Sequence, residues 1–258
     1  MRIVEPNVEV LKQNNLFEHI ELCGRTCYKS DDKICDGSAE KFVNMLIRSK
    51  HGSVLEHGTI YLIVPLGDKK KPSNLNKLLA NPYTKVNLQD KKFYITTNYR
   101  VVVENDFINL VERYESECTE HHEKRITIRI ICNRATSHEF VRHRAMSISQ
   151  ESQRYVNYGN KKNGKQIKVI KPLYFQENSL PYKLWKISVF IAEKVYMKLI
   201  KIGRSPQEAR EVLPNSTATE LVMTGFKSQW KDFLNLRTAK YAHPQAIEIA
   251  EVIKEIIL

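Results

Sequence analysis

Arg142-His143-Arg144-Ala145-Met146-Ser147-Ile148-Ser149-Gln150-Glu151-Ser152-Gln153-Arg154-Tyr155 packs three arginines, a histidine, three serines and a tyrosine into fourteen residues. Its apolar positions are too few to bury one face, so it is a poor core segment. Its polar groups are the kinds that hold phosphate: guanidinium forks for bidentate contacts, and hydroxyls for the remaining oxygens. By composition alone a phosphate site, a solvated basic loop and a nucleic-acid patch all fit.

Upstream of this stretch, residues 125–132 and 92–103 are β-rich runs flanking a short helix at 107–114. Residues 59–64 form another β-rich run, followed by a turn-rich surface loop at 67–73 with three consecutive lysines. Residues 17–28 and 39–49 read as helices, the second with Phe42, Met45 and Leu46 on one face and a stop at His51-Gly52. Downstream the chain turns helical. Leu184, Ile187, Phe190, Ile191, Val195 and Leu199 recur at helical spacing before Gly203, predicting a helix with a buried apolar face. Ser205-Pro206-Gln207-Glu208 joins an N-cap serine, a first-turn proline and a capping-box glutamate, opening a short helix that carries Arg210. Thr217-Ala218-Thr219-Glu220 has the form of a second capping box, and Ile247, Ala250, Val252 and Ile256 predict a closing helix. The expectation is one α/β (α+β) domain over 1–258, with a mixed sheet covered by helices.

Of the 258 residues, 42% are hydrophobic, enough for a substantial core. No apolar run approaches the roughly 20 residues a bilayer span needs, and Met1-Arg2-Ile3-Val4 opens as a strand and not a signal peptide, so a soluble, cytoplasmic protein is expected. Cys23, Cys27, Cys35, Cys118 and Cys132 are odd in number and lack zinc-ribbon spacing, which predicts reduced, mostly buried thiols. A formal charge of +12 attracts anions: nucleotides, phosphorylated cofactors, polyglutamates or nucleic acid. A lysine-rich surface that simply keeps the protein soluble accounts for the same surplus.

The spacing inside 142–155 says more than its density. It resembles the signature of flavin-dependent thymidylate synthases (Arg-His-Arg, two residues, Ser, one, Asn, two, Ser, one, Arg-Tyr) at every position but Ser149, where asparagine is common. Arg25-Thr26-Cys27-Tyr28 looks like that family's first-helix end, and His51-Gly52-Ser53-Val54-Leu55-Glu56-His57 like its His-x-Ser/Thr-x-x-Glu-His element. Phe233-Leu234-Asn235-Leu236-Arg237 with Ala242-His243-Pro244 looks like its C-terminal block. The resemblance implies bound FAD, NADPH and 5,10-methylenetetrahydrofolate as co-substrates, and dUMP methylated to dTMP. It further implies a homotetramer with active sites between subunits, and no metal, nucleic-acid or membrane partner. It carries Ser53, Arg142, His143, Arg144, Gln150 and Asp232 to the flavin, and Glu139, Arg142, Gln150, Glu151, Ser152, Arg154, Arg210 and Arg237 to the nucleotide. Arg237 is the catalytic candidate: against the uracil ring, anchored by Leu234 and Leu236, it would stabilise negative charge developing on the pyrimidine.

Plainer roles exist for several of these residues. Tyr155 can simply pack, Glu139 can pair with Arg142, and Arg210 can be a helix-surface arginine. His51 and His57 lack a third ligand in register, so no metal site is expected, and Glu120-His121-His122-Glu123 reads as a solvated turn or helix start. Relatives carry an asparagine and an arginine where Phe226 and Ser228 stand; Lys227 offers a replacement charge and Phe226 a stacking surface. No cysteine has the Pro-Cys-His setting of the classical thymidylate synthase, and the flavin route needs none; Cys27 stands where the family often has serine. Segment 67–124 is longer than in compact relatives and has little motif content. The rival reading of the whole chain is a basic nucleic-acid-binding protein, whose mark is steeply salt-dependent binding.

Overall fold

The computed structural model describes residues 1–68 and 72–257. β1 (Arg2–Val4) and β2 (Asn7–Leu11) lead to α1 (Leu16–Arg25), α2 (Ser38–Arg48), the single turn α3 (Gly52–Leu55) and β3 (Thr59–Pro65). Next come α4 (Leu75–Leu79), β4 (Lys85–Gln89), β5 (Lys92–Asn98), α5 (Tyr99–Glu104) and α6 (Ile108–Tyr114). β6 (Arg125–Asn133), α7 (Arg134–Phe140) and β7 (Ser147–Gln150) surround the arginine-rich stretch. The chain closes with β8 (Lys168–Ile170), α8 (Leu180–Lys201), α9 (Pro206–Ala209), β9 (Ala218–Phe226), α10 (Lys227–Arg237) and α11 (Pro244–Ile257). The expected mixture of strands and helices is present, with the strands divided among an antiparallel sheet β2-β6-β9-β7, a hairpin-based sheet β3-β5-β4 and a parallel pair β1-β8.

The four-stranded sheet positions the site because its two faces differ in chemistry. Successive strand side chains point to opposite faces. On one face Ile128 and Ile130 of β6 sit in register with Met223 and Leu221 of β9, packed against Trp230 and Phe233 of α10 and Ile249 and Ile253 of α11. The other face carries Arg125, Thr127, Ser147, Ser149 and Thr224, buried against His19 of α1 and His57 just past α3. Buried polar groups must find partners. His57 Nδ1 lies 2.8 Å from Thr224 Oγ1 and its Nε2 3.0 Å from Ser149 Oγ. Thr224 continues to Thr127 at 2.8 Å, and Thr127 to His19 at 3.1 Å. The Arg125 guanidinium donates to Thr59 Oγ1, the Glu56 carbonyl and Ser147 Oγ.

Several sequence expectations change. The Thr217–Glu220 pattern opens β9 and not a helix, because Leu221, Val222, Met223 and Thr224 that follow alternate between the two sheet faces. The predicted run 92–103 is strand only to Asn98, whose side chain accepts from Val101 N–H at 3.1 Å and starts α5. In α2 the buried face is Phe42, Val43 and Leu46, with Met45 exposed; in α11 it is Ala246, Ile249, Ala250 and Ile253, with Val252 and Ile256 exposed. The long helix α8 forms, capped by Ser179 and followed by Gly203 at φ 89°, yet Leu184, Ile187, Phe190, Ile191 and Val195 are exposed, and Val189, Glu193 and Tyr196 face the core. Glu193 is turned inward because it takes the N-terminal ammonium at 2.5 Å and the Ile167 N–H at 3.0 Å. The Glu120–Glu123 segment is a turn with Glu120 exposed, but His122 within it is buried, 3.2 Å from the Leu62 carbonyl oxygen. Cys35 and Cys118 are exposed, and all five thiols are free. In the lysine loop, residues 69–71 lie outside the described residues.

Burial lowers the pKa of His57 from 6.5 to about 3, with His19 and Arg125 adding repulsion, and lowers that of His19 to about 4, with Arg125 again contributing. Both are neutral when folded and titrate near 6.5 when unfolded, so the unfolded chain binds more protons between those values. Stability is therefore complete above pH 6.5 and falls as pH drops toward 4, by up to about 1.4 kcal/mol per pH unit per histidine. His57→Ala should cost about 3 kcal/mol near neutrality, by leaving two hydroxyls short of a partner, and should flatten the acid limb. Urea unfolding at pH 7 and pH 5 measures both; an unchanged acid slope in the variant would contradict the assignment.

Candidate active site

Asn133 starts α7 by accepting the Thr136 N–H at 2.7 Å, which aims Ser137 and Glu139 at neighbouring elements. Phe140 at the helix end packs on Phe233 of α10, with ring centroids 5.3 Å apart, and the His143 ring lies 4.7 Å from the same phenyl. Phe233 and Arg237 are one helical turn apart, so the contact that seats His143 also brings Arg237 over it. Arg237 is 9% exposed and all three of its nitrogens are engaged. Nε–H donates to His143 Nε2 at 3.0 Å, one terminal nitrogen to the Glu139 carboxylate at 2.7 Å, and the other to the Glu139 carbonyl at 2.6 Å. The accepting Nε2 makes His143 a neutral ring protonated on Nδ1. Burial, with the Arg237 charge beside it, lowers the His143 pKa to about 4. Burial also lowers that of Arg237, which Glu139 opposes and Arg142 reinforces. A guanidinium keeps its charge through such shifts.

β7 and the turn after it hold the second group. Gln150 donates to Ser137 Oγ at 2.9 Å and Thr219 Oγ1 at 3.3 Å, tying β7 to α7 and β9. Glu151 is buried; its carboxylate takes Lys29 at 2.8 Å and the Tyr158 hydroxyl at 2.7 Å, and its N–H reaches the Glu220 carbonyl. Burial and the Glu151 charge raise the Tyr158 pKa well above 10, which keeps that phenol a donor. Ser152 N–H donates to the Cys27 carbonyl at 2.9 Å. Arg154, exposed, donates to Gln207 at 2.9 Å and lies 5.4 Å over Tyr155, whose ring meets Tyr28 at 5.2 Å. Gln207 belongs to α9, so Arg154 is tied to the helix that precedes Arg210. Arg210 itself pairs with Glu211 at 3.5 Å.

A cleft of about 620 Å3 opens beside this group, lined by His51, Ser53, Cys27, Tyr28, Tyr155 and Lys162 among others. Gly24 shapes it: a Cβ there would stand 2.7 Å from Val54 and 2.8 Å from Phe42, so only glycine lets α1 approach α2 and α3 this closely. A second hollow of about 510 Å3, lined by Lys12, Tyr61, Cys118 and Arg125, holds none of the predicted residues.

The structure thus joins Glu139, His143 and Arg237 directly, sets Arg142 close enough to act on Arg237, and puts Ser53 in one cleft with Tyr155. Arg142 and Arg144 are exposed, without an ion-pair partner among the described residues. Asp232 is exposed on α10 near His143. Leu234 is buried as an anchor, but Leu236 is 43% exposed and supplies no wall to Arg237. Phe226 is not a free stacking surface: it is buried, with the Arg125 guanidinium 5.6 Å from its ring and Lys85 at 5.9 Å. Ser228 N–H donates to Glu123. Sequence reasoning missed Ser137, Thr219 and Lys29, which have no local motif; their role depends on chain crossings.

A family model described as "Thymidylate synthase complementing protein" matches residues 86–258. The chain belongs to that family. The flavin-dependent thymidylate synthase of Pyrococcus abyssi is 32% identical over 119 residues, covering 46% of this chain and 48% of that protein. That of Corynebacterium glutamicum is 29% identical over 157 residues, covering 55% and 60%. The chain spans about half the length of the relatives it matches. A UMP/dUMP methylase from Streptomyces cacaoi, solved with 5-Br dUMP, aligns with 99% of this chain and 91% of its own at 18% identity and a TM-score of 0.47. The thymidylate synthase complementing family match covers β6, α7, β7 and α10, and so the whole Glu139–His143–Arg237 cluster; Ser53 and Tyr28 lie before it. No described helix is long and apolar enough to cross a membrane.

The ion-paired cluster has its own test. NMR titration of His143 should give a pKa near 4, and Arg237→Met should raise it by removing the adjacent cation. A wild-type value near 6.5 would mean that the ring is not held against Arg237.

Proposed function

We propose that this chain is a flavin-dependent thymidylate synthase, acting in the cytoplasm on dUMP with 5,10-methylenetetrahydrofolate as one-carbon donor and NADPH as reductant. The observation that carries this reading is the meeting of Arg237 with Glu139 and His143, which unites the C-terminal block with the arginine-rich signature across 98 and 94 residues of chain. Nothing in a merely basic surface requires that convergence.

The residues present suit FAD. The cleft beside Tyr28 and Tyr155 offers aromatic faces, the Ser53 hydroxyl and the Lys162 ammonium around a space shaped by Gly24. Ser53, Arg142 and Arg144 would hold the dinucleotide, with Gln150, His143 and Asp232 bordering it. Bound FAD would supply the redox chemistry. The chain's own contribution is placement and charge.

Arg154, Ser152 and Arg210 supply donors for the nucleotide phosphate, and the Arg154–Gln207 bond aligns the two arginine-bearing segments. Gln150 and Glu139 border the base. Glu151 acts from behind: with both carboxylate oxygens taken by Lys29 and Tyr158, it positions the Gln150–Ser152 turn and does not touch ligand. Arg237 holds a cation, screened from water, where charge develops as the pyrimidine carbon becomes nucleophilic. Glu139 and neutral His143 fix its direction. Cys23, Cys27 and Cys132 are unsuited to nucleophilic attack on the ring: burial pushes Cys23 and Cys132 up to about 12 and raises Cys27 as well.

The exposed stripe Leu184, Ile187, Ile191 and Val195 on α8 supports assembly of this domain, residues 1–258, into the homotetramer proposed for it. Purified protein loaded with FAD should form dTMP only when NADPH and methylenetetrahydrofolate are both supplied. Arg237→Ala should lower kcat by about 100-fold or more while FAD stays bound. Absence of dTMP, or a wild-type rate in that variant, would refute the reading.

A further inference from the structure

Tyr28 to Lys33 forms a ridge between two hollows. Tyr28, Ser30 and Lys33 line the cleft already described, whereas Lys29, Asp31 and Asp32 line a groove of about 320 Å3 on the other side. Lys162, ion-paired with Asp32, lines both, so the two hollows meet at its side chain.

Past Lys162 the groove runs along the parallel pair β1–β8. Arg2 and Lys168 stand in register there, both exposed and without an ion-pair partner among the described residues. Like charges set side by side on neighbouring strands repel. An anion laid between them would relieve that repulsion. The groove thus has two neutralised cations at its inner end, Lys29 with Glu151 and Lys162 with Asp32, and two unneutralised ones farther out.

We propose that this groove binds a chain of spaced carboxylates: the oligo-γ-glutamate tail of a folate co-substrate whose ring system lies beside the flavin at the Lys162 end of the cleft. The inference rests on the function proposed above. Spacing favours carboxylates over phosphate. Separate cations serve separate carboxylates one at a time, whereas a phosphate is best held by converging forked donors. Asp31 and Asp32 in the groove wall would also repel a compact dianion pressed against them.

The test compares binding of pteroylpentaglutamate and pteroylmonoglutamate to the FAD-loaded protein by calorimetry. Two exposed ion pairs of ordinary strength give the longer tail about a threefold to tenfold advantage, shrinking as salt rises. Arg2→Gln/Lys168→Gln should bring that ratio close to one, and Arg2→Lys/Lys168→Arg should keep it. A wild-type ratio of one, or an unchanged ratio in the glutamine variant, overturns the proposal. So does a glutamine variant that loses FAD affinity and keeps the ratio, since the groove would then serve a phosphate. If the protein makes no dTMP yet the ratio collapses as expected, the activity fails and the groove stands; dTMP formation with an unchanged ratio gives the reverse.

Discussion

His57 clamps together pieces of chain that would otherwise have no reason to meet. With one ring nitrogen on Thr224 of β9 and the other on Ser149 of β7, it docks the turn after α3 onto the polar face of the central sheet. The fully buried ring has no water to fall back on, so both bonds must form together or the face must open. Docked this way, α3 presents Ser53 to the cleft while β7 ends at Gln150 and leads directly into Glu151 and Ser152. The cleft and the arginine-rich segment are therefore two products of one buried contact.

The second constraint is charge. Arg237 is a cation with little access to water, and such a group is tolerated only with close compensation. Glu139 supplies a carboxylate and a carbonyl, and His143 supplies a lone pair because burial keeps it neutral. The same three contacts that make the cation affordable also fix its direction, and a fixed charge stabilises a developing opposite charge without reorganising when reaction begins. Stability and the proposed chemistry draw on one arrangement.

Much of this was legible in the sequence where local pattern and tertiary demand agree. The Ser205 capping box and the stop of α8 at Gly203 were readable because caps and left-handed glycines act locally. The convergence of Glu139, His143 and Arg237 was foreseen only as membership of one site, through the family resemblance. Failures came where a local signal was overruled. Thr217–Glu220 has capping-box chemistry, yet the alternation after it pairs with β6 along nine residues, and the sheet wins. On α8 the apolar periodicity correctly marked a helix but not which face the core would take. Glu193, satisfied by the N-terminal ammonium, and Tyr196 turn inward, leaving the Leu184–Val195 stripe outside. Leu236 failed as an anchor for a simpler reason: one residue before Arg237, it lies about 100° around the helix from the buried face. No local pattern could announce that Ser137 and Thr219 hold Gln150, since those bonds depend on strand order.

The claim on which the functional account turns is that a flavin and a pyrimidine nucleotide occupy adjoining space between the Ser53–Tyr155 cleft and the Arg237 cluster. The visible absorption spectrum of the FAD-loaded protein, recorded before and after addition of dUMP, tests it most directly. Neighbouring ligands predict that dUMP perturbs the flavin bands saturably, and that UMP and dCMP at equal concentration do so far less. A protein that retains no FAD, or a flavin spectrum indifferent to dUMP, would contradict it.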